Sequence, residues 1–171
     1  MLDRLGLLEA VLFAAAEPVS EAKLCDILGV SQSDLERLLT DYQELLLKPL
    51  RGIMLRAVAG GWQLVTKPEA AESVSQLAGQ KRYRLSKPAL EVLAIVAYRQ
   101  PITRLEIEEL RGVKCERSLL TLIERNLICE VGRKEAIGRP VLYGTTDTFL
   151  EQFNLYSLKD LPPTGPSVDT L

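Results

Sequence analysis

The stretch EPVSEAKLCDILGV at residues 17–30 returns, without a gap, as QPITRLEIEELRGV at residues 100–113, an offset of 83. Pro18 corresponds to Pro101, Val19 to Ile102, Ser20 to Thr103, Leu24 to Ile107 and Ile27 to Leu110. Gly29-Val30 corresponds to Gly112-Val113, and an apolar segment precedes each copy. Solenoid repeats have much shorter periods, so a long period used twice implies two similar domains.

Each copy reads as the same unit. In the first, residues 3–16 form an amphipathic helix, with Leu5, Leu8, Leu12 and Ala15 on one face and Leu2 a turn earlier. Asp3 and Glu9 interrupt the apolar run, and the residues before it are not basic, so it reads as part of a folded domain rather than a signal peptide. Ser20 caps a helix at about 21–28, Gly29 turns the chain, and Ser31 caps a third helix, QSDLERLLTDYQELLL. Leu35, Leu38, Leu39, Tyr42, Leu45 and Leu46 form its apolar stripe. GIMLRAVAGGWQLVT predicts a hairpin turning at Ala59-Gly60-Gly61, and a helix follows around PEAAESVSQLAG.

In the second unit SKPALEVLAIVAYR is apolar nearly all round, which predicts a buried central helix. Thr103 and Glu106 have the spacing of a capping box. CERSLLTLIERN predicts a third helix with Leu119, Leu122 and Ile123 inward, stopping at Asn126, a residue that tolerates the left-handed conformation. LICEV and VLYGTT are its predicted strands. Three helices and a hairpin make a winged helix. The expected fold is therefore mainly α with small β-hairpin wings (α+β), in two tandem winged-helix domains. Their expected bounds are 1–79 and 85–158, joined by a basic connector at 80–84 and followed by a flexible, proline-rich tail at 159–171.

Winged helices commonly read DNA, and DNA affinity comes largely from Lys and Arg at phosphates. Residues 1–80 carry 7 basic and 11 acidic side chains, residues 81–158 carry 13 and 10, and the whole chain has a net charge of −2. Its pI is near 5.4, whereas DNA-binding domains are typically strongly basic. The remaining basic concentration, Arg125, Arg133, Lys134 and Arg139, is a candidate nucleic-acid contact diluted by Glu130 and Glu135. A DNA-binding transcriptional regulator using that wing is the alternative reading. Glu108 and Glu109 on the second helix would keep phosphate away or meet a basic partner. Trp62 on the first hairpin and Leu120, off the inward stripe of its helix, are candidate protein contacts; core packing is the competing reading for Trp62.

Little suggests catalysis. The chain has no histidine, which removes the usual acid/base group and every Ser-His or Cys-His pair. Its three cysteines, Cys25, Cys115 and Cys129, include no CxxC pair, so neither a disulfide framework nor a zinc site is expected. No catalytic residues, cofactor or metal are expected, nor any membrane span.

LSKPALEVLAIVAYRQPITRLEIEELRGV, then LIERNLICEVGRKEAIGRPVLYGTTDTFLEQFNLYSLKDLP, resembles the bacterial segregation and condensation protein B family; EAVLFAAAEPVS and GIMLRAVAGGWQLVTKPE resemble that family's N-terminal half. Asn126 and Asn154 stand where the family pattern has glycine. The resemblance implies a non-enzymatic condensin subunit of two winged-helix domains that forms homodimers, mainly through the N-terminal domain. It implies binding to the central segment of the kleisin subunit, segregation and condensation protein A, and through it to the structural-maintenance-of-chromosomes ATPase. DNA contact would be indirect or weak, and the setting cytoplasmic and nucleoid-associated.

Overall fold

The computed structural model describes residues 3–77 and 84–163. The chain divides into two compact units, Met1–Arg82 and Tyr83–Leu171. Most of the 80–84 connector and the end of the expected tail lie outside the described residues.

The first unit opens with α1 (Arg4–Ala14), capped by the Asp3 carboxylate, which accepts from the Gly6 N–H at 2.7 Å. α2 (Glu21–Leu28) and α3 (Gln32–Leu47) have the bounds that their caps predict. Ser20 accepts from the Lys23 N–H and Ser31 from the Asp34 N–H. Gly29 sits in the left-handed region at φ 61°, closing α2. Leu8 and Leu12 from α1, Leu24 and Leu28 from α2, and Leu35, Leu39, Tyr42 and Leu46 from α3 form one buried core.

β2 (Ile53–Val58) and β3 (Gly61–Thr66) are joined by Ala59-Gly60 alone, both at positive φ, 48° and 68°. This two-residue turn suits the twist of a hairpin. Gly61, expected in the turn, instead begins β3 opposite Ser20. A side chain there would meet the Val19 carbonyl oxygen at 2.7 Å. That close approach belongs to β1 (Val19–Ser20), a third strand that pairs Val19 with Trp62. The sheet order is β1-β3-β2. A 3₁₀ turn (Pro68–Ala70) and α4 (Ala71–Leu77) follow.

The second unit repeats the plan. α5 (Lys87–Arg99), β4 (Ile102–Thr103), α6 (Arg104–Arg111) and α7 (Glu116–Glu124) precede a wing of β5 (Ile128–Arg133) and β6 (Val141–Thr145). β4 pairs with β6 through Ile102 and Tyr143, giving the order β4-β6-β5. α5 buries Ala89, Val92, Leu93, Val96 and Ala97, but Leu90 and Tyr98 stay exposed, so one face rather than the whole helix is core. α7 buries Leu119 and Leu122. Ile123, expected inward, is 38% exposed: it lies about 100° round the helix from Leu122, and Leu127 and Ile128 fill the core beyond the helix end.

Asn126 and Asn154 have φ of 54° and 57°, so both supply the left-handed turn that glycine would. Asn154 closes α8 (Asp147–Phe153), a helix capped by Thr146 that places Phe149 in the core. The described part of the expected flexible tail, residues 159–163, is packed. Leu158–Asp160 make a 3₁₀ turn, Leu161 packs against the core, and the Tyr98 hydroxyl donates to the Pro162 carbonyl at 2.8 Å. Leu155 and Leu161, both packed against the core, outweigh the neighbouring prolines here.

The Gly61 contact predicts a large steric effect. Gly61→Val should lower unfolding free energy by about 2–3 kcal/mol, since backbone cannot yield as a side chain would. Gly60→Ala, with open space around it, should cost only about 1 kcal/mol for the left-handed φ. Urea unfolding of the two variants checks the order.

Candidate protein-interaction site

The corner between α6 and α7 is held by charge. Arg104 bonds Glu108 at 3.0 Å and Glu116 at 2.9 Å. Glu108 also accepts the Cys115 N–H at 3.1 Å. This satisfies the backbone N–H of Cys115, the N-cap residue of α7, whose own side chain makes no capping bond. Glu108 was expected to be an exposed contact; its side chain is only 19% exposed and is committed to the fold. The Cys115 N–H, then Arg104, hold its carboxyl below the ordinary range. Burial pushes the Cys115 thiol up.

The first unit closes the same corner with different groups. Glu21 accepts from Trp62 Nε1 at 3.0 Å and from Gln32 Nε2 at 2.5 Å. Trp62, half-buried at the edge of the first core, is thus tied within its own domain. Its counterpart by strand pairing is Tyr143, whose ring packs against the second core. Exposed apolar side chains in this unit lie elsewhere: Phe13, Leu47 and Leu50 are 82%, 76% and 98% exposed.

Two of the basic residues expected at phosphate bond within the protein. Lys134 donates to Glu106 at 2.6 Å, closing the wing onto the start of α6. Arg133 donates to the carbonyl of Arg139 within the wing loop at 3.3 Å. Arg125 is the C-cap residue of α7, half-buried and already engaged. The other Glu106 oxygen accepts the Thr103 N–H at 2.8 Å and the Thr103 hydroxyl at 2.7 Å, completing the predicted capping box. Lys134 and then Thr103 hold the Glu106 carboxyl down to about 2 from its ordinary 4.5.

Beside this bridge lies an open groove of about 430 Å³, lined by Arg99, Pro101, Ile102, Glu106, Glu109 and Leu110. Glu109 is exposed, as expected, and has no hydrogen-bond or ion-pair partner among the described residues. Leu120 is 56% exposed on α7, outside the groove lining. Among the described residues no group of three or more acidic or cysteine side chains is arranged to hold a metal, and no helix is long and apolar enough to cross a membrane. The groove lining falls within residues 99–110, from the end of α5 through β4 to α6; its concavity comes from how these elements pack, which residue spacing alone does not specify.

The family model for the segregation and condensation complex subunit ScpB matches residues 6–164, spanning both winged helices. The chain belongs to the ScpB family. It is 53% identical over 156 residues to segregation and condensation protein B of Moorella thermoacetica, covering 91% of this chain and 80% of that protein. The protein of the same name from Symbiobacterium thermophilum is 51% identical over 157 residues, covering 92% and 72%. Among solved structures, ScpB from Mycobacterium tuberculosis is 34% identical, covers 91% of this chain and 99% of that one, and has a TM-score of 0.42. A dimer of the ScpB N-terminal domain complexed with ScpA peptide is 30% identical, covers 43% and 91%, and has a TM-score of 0.41.

For this ScpB-family chain, the Glu106 bridge sets a pH signature. Its folded value lies below its ordinary one, so its contribution is present above about pH 4.5 and is lost as pH falls through about 2. Both side chains are partly exposed, so the pair is worth at most about 1 kcal/mol. Lys134→Met should therefore be less stable than the unsubstituted chain at pH 7, with the gap fading below pH 4.5. The Glu106 carboxyl should titrate higher in the variant, as read by carbon NMR.

Proposed function

We propose that this protein is a non-enzymatic ScpB subunit of a bacterial segregation and condensation complex. It acts as a homodimer and binds the central segment of the kleisin ScpA. Through that kleisin it reaches the structural-maintenance-of-chromosomes ATPase, which carries out the chemistry. Its place is the cytoplasm, at the nucleoid, in chromosome condensation and segregation. The observation that carries this reading is a family match running through both domains, with half of the residues identical to named relatives.

The geometry supports it. Two of the four candidate phosphate contacts are turned onto the protein itself, Lys134 onto Glu106 and Arg133 onto the Arg139 carbonyl. The acidic balance adds to this, since a phosphate backbone gains affinity only where cations are free to meet it. Phe13, Leu47 and Leu50 give the first domain, which is expected to dimerise, apolar area to bury.

Light scattering on the purified chain should give twice its 19.0 kDa mass. Titration calorimetry with the central segment of ScpA from the same organism should show saturable binding at micromolar concentration or tighter. A monomer that releases no heat would overturn the proposal.

A further inference from the structure

Resting on the ScpB reading, we propose that the α5–α6 groove is a docking point for a kleisin segment in which an apolar side chain is flanked by lysine or arginine. The apolar side chain enters against Pro101, Ile102 and Leu110, and the cation pairs with Glu109.

The groove lining decides the chemistry of the occupant. Its volume of about 430 Å³ accommodates side chains of a peptide, not a nucleic-acid duplex. Ile102 is 5% exposed and forms a firm floor, while Leu110 is 40% exposed and can still lose water. Burying such surface is favourable in rough proportion to area. A purely apolar ligand would leave the charges at the rim unmet, so they set its sign.

Those charges differ in availability. Glu106 has both oxygens occupied, one by Lys134 and the other by Thr103. Arg99 already has an interaction. Glu109 has none among the described residues, so it is the lining carboxylate left to meet a ligand. A cation is attracted to it and a phosphate or carboxylate is repelled. The Lys134–Glu106 bridge supports this division: it neutralises one carboxylate, fixes the groove wall and leaves the second facing out.

The test is titration calorimetry of the full chain with ScpA from the same organism, at several salt concentrations. Glu109→Lys should weaken binding about tenfold or more, and Leu110→Ser should weaken it measurably. Glu109→Gln should cost less and flatten the salt dependence. Glu124→Lys, an equal charge change at an exposed position on α7, should leave affinity within about twofold. Glu109 is exposed, so its variants should keep the far-ultraviolet dichroism of the unsubstituted chain. If ScpA binds the unsubstituted chain and Glu109→Lys binds as well, the groove is not the docking point and the ScpB reading stands. If the unsubstituted chain does not bind ScpA, both fail.

Discussion

The residue that begins the second helix of each domain is also a strand residue, and much of each domain's geometry depends on this double use. Ser20 and Thr103 have extended backbones, at φ −64° and −89°. An N-cap requires that conformation, and so does a strand. Each side chain therefore caps a helix while its backbone pairs with the wing, Ser20 opposite Gly61 and Thr103 opposite Leu142. Helix direction and wing position are set at one residue. In the second domain the same point carries a further link, because Glu106 closes the capping box and also receives Lys134 from the wing.

This coupling explains which features were readable from sequence. Caps and left-handed turns are local chemistry. Ser20, Ser31, Thr103, Gly29, Gly112 and Asn126 accordingly mark their elements in the structure as their residue types predict. A two-residue strand has no periodicity, so Val19–Ser20 and Ile102–Thr103 read only as turns before helices. Gly61 reads as part of a turn because Gly-Gly is a turn signal; its actual constraint is a neighbouring strand far away in sequence. Glu108 read as solvent-exposed because charged residues usually are. Its partners, Arg104 four residues before it and the Cys115 N–H seven after, place it in the helix-turn-helix corner.

The two domains close that corner with unlike groups. The first uses a carboxylate, an indole and an amide; the second uses a guanidinium between two carboxylates. What the two corners share is their place, between the second and third helices of each unit. The sign of the charge is then free to serve surface chemistry. In the second domain the acids are divided between structure and surface, with Glu106 and Glu108 engaged and Glu109 facing the groove. Of the wing's cations, Lys134 meets Glu106 and Arg133 the Arg139 carbonyl, while Arg139 is exposed.

We infer that these helix-turn-helix units are scaffolds for protein contacts rather than phosphate readers. Fluorescence anisotropy with a labelled DNA duplex at low salt tests it most directly, because phosphate-driven affinity is greatest there. The account predicts no saturable binding by the chain alone, at concentrations where it saturates with ScpA. Saturable binding to the duplex that weakens steeply with added salt, and is lost on charge reversal at Arg133, Lys134 and Arg139, would contradict it.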